Sequence, residues 1–197
     1  MIALTLASQS RARGDILRHA GVAFAACVSG VDEESTKRSL LARGASPAQV
    51  ATALADEKAL AVSAQRPGLV IGADQTLDLD GSVFDKPASL AEARDRLIAL
   101  RGRAHALRSA VTIARDGEVA WRDLQTAWLS MRAFSDAFLD RYLSRIGEKV
   151  LSSVGCYQLE GEGAQLFEAI DGDYFTILGL PLWGLLGFLR DEGVLET

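Results

Sequence analysis

Cysteine, histidine and proline are scarce in this 197-residue chain, at two, two and four copies. Two cysteines exclude a disulfide scaffold, and Cys27 and Cys156 fit neither a C-x-x-C nor a Cys/His zinc spacing. They could pair, but two buried thiols in a reducing compartment is the simpler reading. His19 and His105 have no partner spacing for zinc or for a nucleophilic triad, and no Gly-x-Ser-x-Gly elbow accompanies them, so both read as structural. Long apolar runs are missing too. Tyr174 to Leu189 is broken by Pro181 and falls short of the ~20 residues that span a bilayer. Met1 to Leu6 lacks the basic flank of a secretory signal. The expectation is a cytoplasmic protein with no membrane partner. An excess of positive charge is also absent: 21 basic against 26 acidic residues give −5. That argues against the broad basic face that polymeric nucleic acid requires, and the dispersed Trp121, Trp128 and Trp183 do not suggest a stacking platform. A small anionic ligand stays open, because a few cations focused in a cleft outweigh net charge locally. Neither a Gly-x-x-x-x-Gly-Lys-Ser/Thr loop nor a Gly-x-Gly-x-x-Gly turn occurs.

What is present is a globular composition, 49% hydrophobic and 24% charged. The length suits a single domain, residues 1–197, with room for two lobes. Ile2 to Ala7 and Phe24 to Val28 read as strands, and Ser10 to Ala20 as a helix with Arg13, Ile16, Leu17 and Ala20 on one stripe. Ser46-Pro47 opens a helix reaching about Ala64. Leu69 to Ala73 is a buried strand ending at Asp74, and Leu77 to Phe84 a hairpin around Asp80-Gly81. Ser89 with Glu92 reads as a capping box, and Gly102 stops the helix that follows. Ala104 to Ala114 and Val119 to Met131 flank the turn Asp116-Gly117. Ser135 caps a helix ending at Gly147, and a last helix runs from Pro181 to about Arg190. Strands and helices in this order predict an α/β fold with a mixed central sheet.

Several polar residues are out of place for such a core. Only four lysines accompany 17 arginines, and Lys58 falls mid-stripe among Val50, Ala51, Leu54, Ala61 and Val62. It either snorkels from an apolar groove or aims a cation into a cleft. Arg13 lies on the first turn of a helix, where a cation opposes the dipole unless an anion compensates. The two readings are a phosphate site and a pair with Asp15 or Glu33. Asp74 ends a strand, where ligands of open α/β sheets collect, or else it caps the next turn. Glu33, in Val31-Asp32-Glu33-Glu34, is a metal or water ligand or part of a solvated acidic loop. Lys86-Pro87 fixes a lysine at a rigid turn, as surface or as site.

Taken together these positions form a pattern. Leu6-Ala7-Ser8-Gln9-Ser10 with Arg13, Val31-Asp32-Glu33, Lys58-Ala59, Ile71-Gly72-Ala73-Asp74, Lys86-Pro87 and Leu97 to Gly102 occur in order. Gly155-Cys156-Tyr157, Glu160-Gly161, Ile170 to Tyr174 and Gly179 to Leu182 continue it. The chain resembles the Maf family from about residue 3 to residue 190. The resemblance implies an elongated, two-lobed α/β fold similar to inosine triphosphatases, with a cleft between the lobes. It also implies a nucleoside triphosphate pyrophosphatase that cuts between the α and β phosphorus with a divalent metal cation, Mg²⁺ or Mn²⁺. Carried over residue by residue, Asp74 is the proton acceptor, Ser8, Arg13, Lys58 and Lys86 surround the phosphates, and Glu33 is a metal or water carboxylate. The partner implied is a small-molecule nucleotide. A homodimer stays open, since Trp183, Leu185, Leu186 and Phe188 could supply a dimer surface as easily as core.

The chain departs from the family pattern at Ala12, Gln75 and Glu160, positions that sort substrates within the family. Arg, Thr and Gln there go with the dTTP/UTP type; Gln followed by Glu resembles the 7-methyl-GTP type. A carboxylate only accepts hydrogen bonds. It suits the N–H donors of a guanine edge, and facing uracil or thymine carbonyls would cost about 1–3 kcal/mol per mismatched group. The expected substrate is 7-methyl-GTP or another modified nucleotide. The alternatives are a dTTP/UTP-type enzyme and a non-catalytic nucleotide-sensing regulator of septum formation.

Overall fold

In the computed structural model, which describes residues 2–196, the chain is α/β. Its strands are β1 (Leu4–Ala7), β2 (Ala25–Cys27), β3 (Leu69–Leu79), β4 (Ser82–Phe84), β5 (Ala104–Arg115), β6 (Glu118–Met131) and β7 (Phe167–Asp171). Its helices are α1 (Arg11–His19), α2 (Glu33–Ala42), α3 (Pro47–Ser63), α4 (Leu90–Leu100), α5 (Asp136–Ile146), α6 (Tyr174–Ile177) and α7 (Leu182–Asp191). The seven strands make one open mixed sheet in the order β2-β1-β3-β5-β6-β7, with β4 paired to β3. β1 runs parallel to β2 and β3, whereas β4 on β3 and β7 on β6 are antiparallel.

The chain divides into two compact units. One contains residues 1–75, 108–125 and 174–197, the other residues 76–107 and 126–173, and β3, β5 and β6 each contribute residues to both. The first unit is built around a cluster that includes Leu6, Ile16, Leu17, Ile71, Ile113 and Leu185. In the second, Leu97, Leu100, Leu129, Met131 and Leu139 are buried.

Local chemistry explains the boundaries. Ser46 and Gln49 close a reciprocal capping box on α3, with Pro47 in the first turn. Ser89 accepts from the Glu92 amide, but the Glu92 carboxylate accepts from the Ala88 N–H, one residue short of the reciprocal box that the spacing suggests. Asp116 and Gly117 take φ of 53° and 80°, as the two-residue turn between β5 and β6 demands. Two expectations are corrected. β3 continues to Leu79 instead of ending at Asp74, so Asp74 is mid-strand and caps no turn. The acidic segment at Glu33 is the first turn of α2, with Asp32 as its cap. Cys27 and Cys156 are both free thiols; Cys27 is only half-buried.

Candidate functional site

The first unit gathers four charged residues of the sequence pattern, Arg13, Glu33, Lys58 and Asp74. Lys58, only 4% exposed, does not snorkel: its Nζ lies 2.7 Å from Asp74 Oδ1 and 2.7 Å from Glu33 Oε2. Gly72 makes the contact with Asp74 feasible. It shares a face of β3 with Asp74, two residues on, and α3 presses so closely there that a Cβ at Gly72 would fall 2.1 Å from the Ala55 carbonyl oxygen and 2.6 Å from Ala59 N. Lys58 sits between those two alanines in the chain. Thr36 of α2 donates to Glu57 of α3 at 2.9 Å, tying together the helices that carry Glu33 and Lys58.

Arg13 extends the cluster from α1. It pairs with neither Asp15 nor Glu33. Its Nη1 donates to the Ala73 carbonyl and its Nε to the Gly179 carbonyl, both at 2.8 Å, with Ser8 Oγ 3.4 Å from Nη1. Asp15 pairs with Arg11 and Arg18 instead. Holding a guanidinium by neutral carbonyls leaves its charge uncancelled by direct pairing. Ser8 Oγ also accepts from the Ser10 amide at 3.1 Å, which leaves its proton to donate elsewhere.

Burial pushes the Asp74 carboxyl above the ordinary carboxylate range; Lys58 and Arg13 oppose the rise, and Glu33 adds slightly to it. Burial likewise lowers Arg13, against the charges of Asp74 and Glu33. Desolvation and adjacent cations thus act on one carboxyl in opposite directions, the arrangement expected of a group that exchanges a proton.

Gln75 follows Asp74 and so points to the other face of the strand. Its Nε2 donates to Ser109 Oγ at 2.8 Å and lies 3.0 Å from each of the Thr176 and Ile177 carbonyls. Ala12 lies on α1 in the same unit, half-buried. Lys86 and Glu160 belong to the second unit, and both are exposed there. Near Lys86, the side chain of Arg96 donates to the Asp85 carbonyl and, at 2.8 Å, to that of Val154. His105 is buried, with Nε2 2.7 Å from the Tyr157 hydroxyl, consistent with a structural part.

A model of the family described as Maf-like protein matches residues 3–192. The chain belongs to the Maf family. Among its Maf relatives, a nucleoside triphosphate pyrophosphatase of Caulobacter vibrioides is 62% identical over 98% of each chain. One of the same description from Paramagnetospirillum magneticum is 54% identical over 96% of this chain and 98% of its own. A protein from Rhizobium meliloti named 7-methyl-GTP pyrophosphatase is 50% identical over 98% of both chains.

Among the described residues of this Maf protein no trio of His, Cys, Asp or Glu forms a self-sufficient metal cluster. Glu33 and Asp74 nevertheless reach the same ammonium nitrogen, which brings two carboxylates within range of one small cation. Mg²⁺ is commonly held by one or two carboxylates, with water and substrate phosphate completing the shell. The donor set fits that mode. In the sequence Gly72 and Gly179 stand out only as parts of motifs, and no motif or spacing marks Ser109 or Thr36. The available signal was a glycine inside a buried strand, two residues before an acid, which marks close backbone approach.

Proposed function

We propose that the protein hydrolyses a nucleoside triphosphate between the α and β phosphorus, releasing the nucleoside monophosphate and diphosphate, and that its substrate is 7-methyl-GTP or a similarly modified nucleotide. The observation that carries this reading is the buried Asp74 carboxylate, held by Lys58 and flanked by Arg13. Asp74 accepts the proton of the attacking water. Arg13, fixed by two carbonyls, and the Ser8 hydroxyl bind phosphate oxygens. Lys58 keeps Asp74 ionised and oriented and, as Glu33 turns to substrate, offers its other donors to phosphate. If all four groups are ionised, Arg13 and Lys58 only balance Glu33 and Asp74, so neutralising a triphosphate needs further cations. Lys86 supplies one. Glu33 and Asp74 would hold Mg²⁺ or Mn²⁺, which when bound offsets phosphate charge and acidifies water.

Substrate choice is assigned to Ala12, Gln75 and Glu160. An exposed carboxylate at Glu160 accepts from guanine N–H groups and favours the cationic 7-methylated ring. The name of the Rhizobium meliloti relative supports this direction. Among the described residues no helix is long and apolar enough to cross a membrane. Trp183 is 65% exposed, Leu186 and Phe188 are half-buried and Leu185 is buried, so of these four residues Trp183 offers the most surface for a homodimer.

The test is diphosphate release from 7-methyl-GTP, GTP, UTP and dTTP, with and without a chelator. The expected result is chelator-sensitive release, fastest with 7-methyl-GTP. A preference for UTP or dTTP would assign the pyrimidine-nucleotide type. Nucleotide binding without release would assign a sensing regulator.

A further inference from the structure

Gln75 is held in an arrangement that fixes which of its two polar atoms a ligand can meet. Side-chain amides can be turned either way, but two of the three groups around this one are main-chain carbonyls, which only accept. The atom facing Thr176 and Ile177 must therefore be the nitrogen. Ser109 completes the brace. Its hydroxyl donates to the Thr176 carbonyl at 2.7 Å, so it has only lone pairs to offer Gln75, and it accepts from Nε2 at 2.8 Å. Both Ser109 and Thr176 are buried, at 0% and 1% exposure, so the brace is not a fluctuating surface contact.

Among the described residues nothing donates to Gln75 Oε1, and that oxygen is not a buried orphan. The same turn holds the phosphate-binding candidate. Gly179, at φ 95°, gives its carbonyl to Arg13, and a Cβ there would lie 3.5 Å from Arg13 Nε and 3.7 Å from Gln75 Cδ. The amide of Gln75 and the Arg13 guanidinium thus both border Gly179.

We propose that Ser109 is a specificity-positioning residue: with the carbonyls of Thr176 and Ile177 it turns Gln75 so that only an acceptor is left for the nucleotide, selecting bases that offer an N–H donor. The proposal rests on the pyrophosphatase reading and adds to it the means by which Gln75 discriminates. Without the Ser109 hydroxyl the two Nε2 protons keep only the Thr176 and Ile177 carbonyls, and the Thr176 carbonyl loses its bond from Ser109 as well, so the brace loses its link to β5 and the acceptor is held less firmly in place. The loss falls on recognition of the base, because Asp74 and Lys58 lie on the other face of the strand.

The experiment compares kcat/KM for 7-methyl-GTP with two analogues, 7-methyl-ITP, which lacks the 2-amino group, and 1,7-dimethyl-GTP, which lacks N1–H. Wild type, Ser109→Ala and Gln75→Met are assayed alike. Wild type is expected to lose about tenfold or more on at least one analogue, the value of one hydrogen bond to an otherwise unpaired acceptor. In Ser109→Ala that penalty shrinks to about threefold or less, with the KM for 7-methyl-GTP rising by more than kcat falls. Gln75→Met, which keeps the side-chain length but has no amide, gives the same loss of discrimination and serves if Ser109→Ala does not fold. No analogue penalty in wild type, or a penalty of wild-type size in the variants, overturns the proposal. Absence of diphosphate release from every nucleotide is a separate result and overturns the pyrophosphatase reading itself.

Discussion

At the scale of single residues, the decisive balance is at Asp74. Burial favours its neutral form, and Lys58 and Arg13 favour the carboxylate. Proton acceptance needs the carboxylate, so the acid limb of the pH–rate profile should lie above the ordinary value of about 4 for an aspartate. Lys58→Met removes the strongest opposing charge. The limb should then move to still higher pH, and stability should fall by about 3–5 kcal/mol because a buried carboxylate loses its partner. Rate profiles and denaturant titrations of the two proteins check both outcomes; an unmoved limb would mean that Lys58 does not tune Asp74. That Lys58 was special could be read from its place on an apolar stripe. Its partners could not, because they come from other elements, and whether a buried cation faces solvent or an acid depends on tertiary contacts alone. Arg13 illustrates the same limit: its partners are backbone carbonyls at Ala73 and Gly179, which leave no mark on side-chain spacing.

At the scale of elements, the site depends on how closely α3 lies against β3. Gly72→Ala would place a methyl 2.1 Å from the Ala55 carbonyl oxygen, a backbone atom that cannot step aside. The helix must shift, at about 1–3 kcal/mol or more. Lys58 is carried with it, so kcat should fall together with the melting temperature. Loss of stability with kcat intact would show that the close approach serves packing only. Most elements were legible because caps and turns announce them, as Ser46-Pro47, Asp116-Gly117 and Ser135 do. α2 was not: none of its residues is buried, so it shows no apolar stripe, and an acidic start reads equally well as a loop. The end of β3 was misplaced for the opposite reason. Its polar residues Asp74, Gln75 and Thr76 interrupt an apolar run, yet they stay in the strand, with Lys58 and Ser109 bonded to the side chains of the first two.

At the scale of the whole molecule, sites in each unit govern different properties. In the second unit, burial lowers the His105 imidazole to about 4, and among the described residues its Nδ1 has no partner. As pH falls from about 6.5 toward 4 the unfolded chain takes up a proton that the folded chain refuses, so stability present above pH 6.5 is lost across that window. The loss is on the order of 3 kcal/mol, at 1.36 kcal/mol per pKa unit. His105→Gln should flatten the difference in unfolding free energy between pH 7 and pH 4.5; an equally steep dependence in the variant would place the titration elsewhere. The family pattern was readable along nearly the whole chain because its short motifs keep their order. The roles of those motifs rest instead on convergence in space, and in the first unit Glu33, Lys58, Asp74 and Arg13 do converge. The most direct measurement is single-turnover diphosphate release by Asp74→Asn, with nucleotide binding followed in parallel. The account predicts binding within about threefold of wild type and release slowed roughly 10²–10⁴-fold, the usual worth of a general base; release at a near-wild-type rate would contradict it.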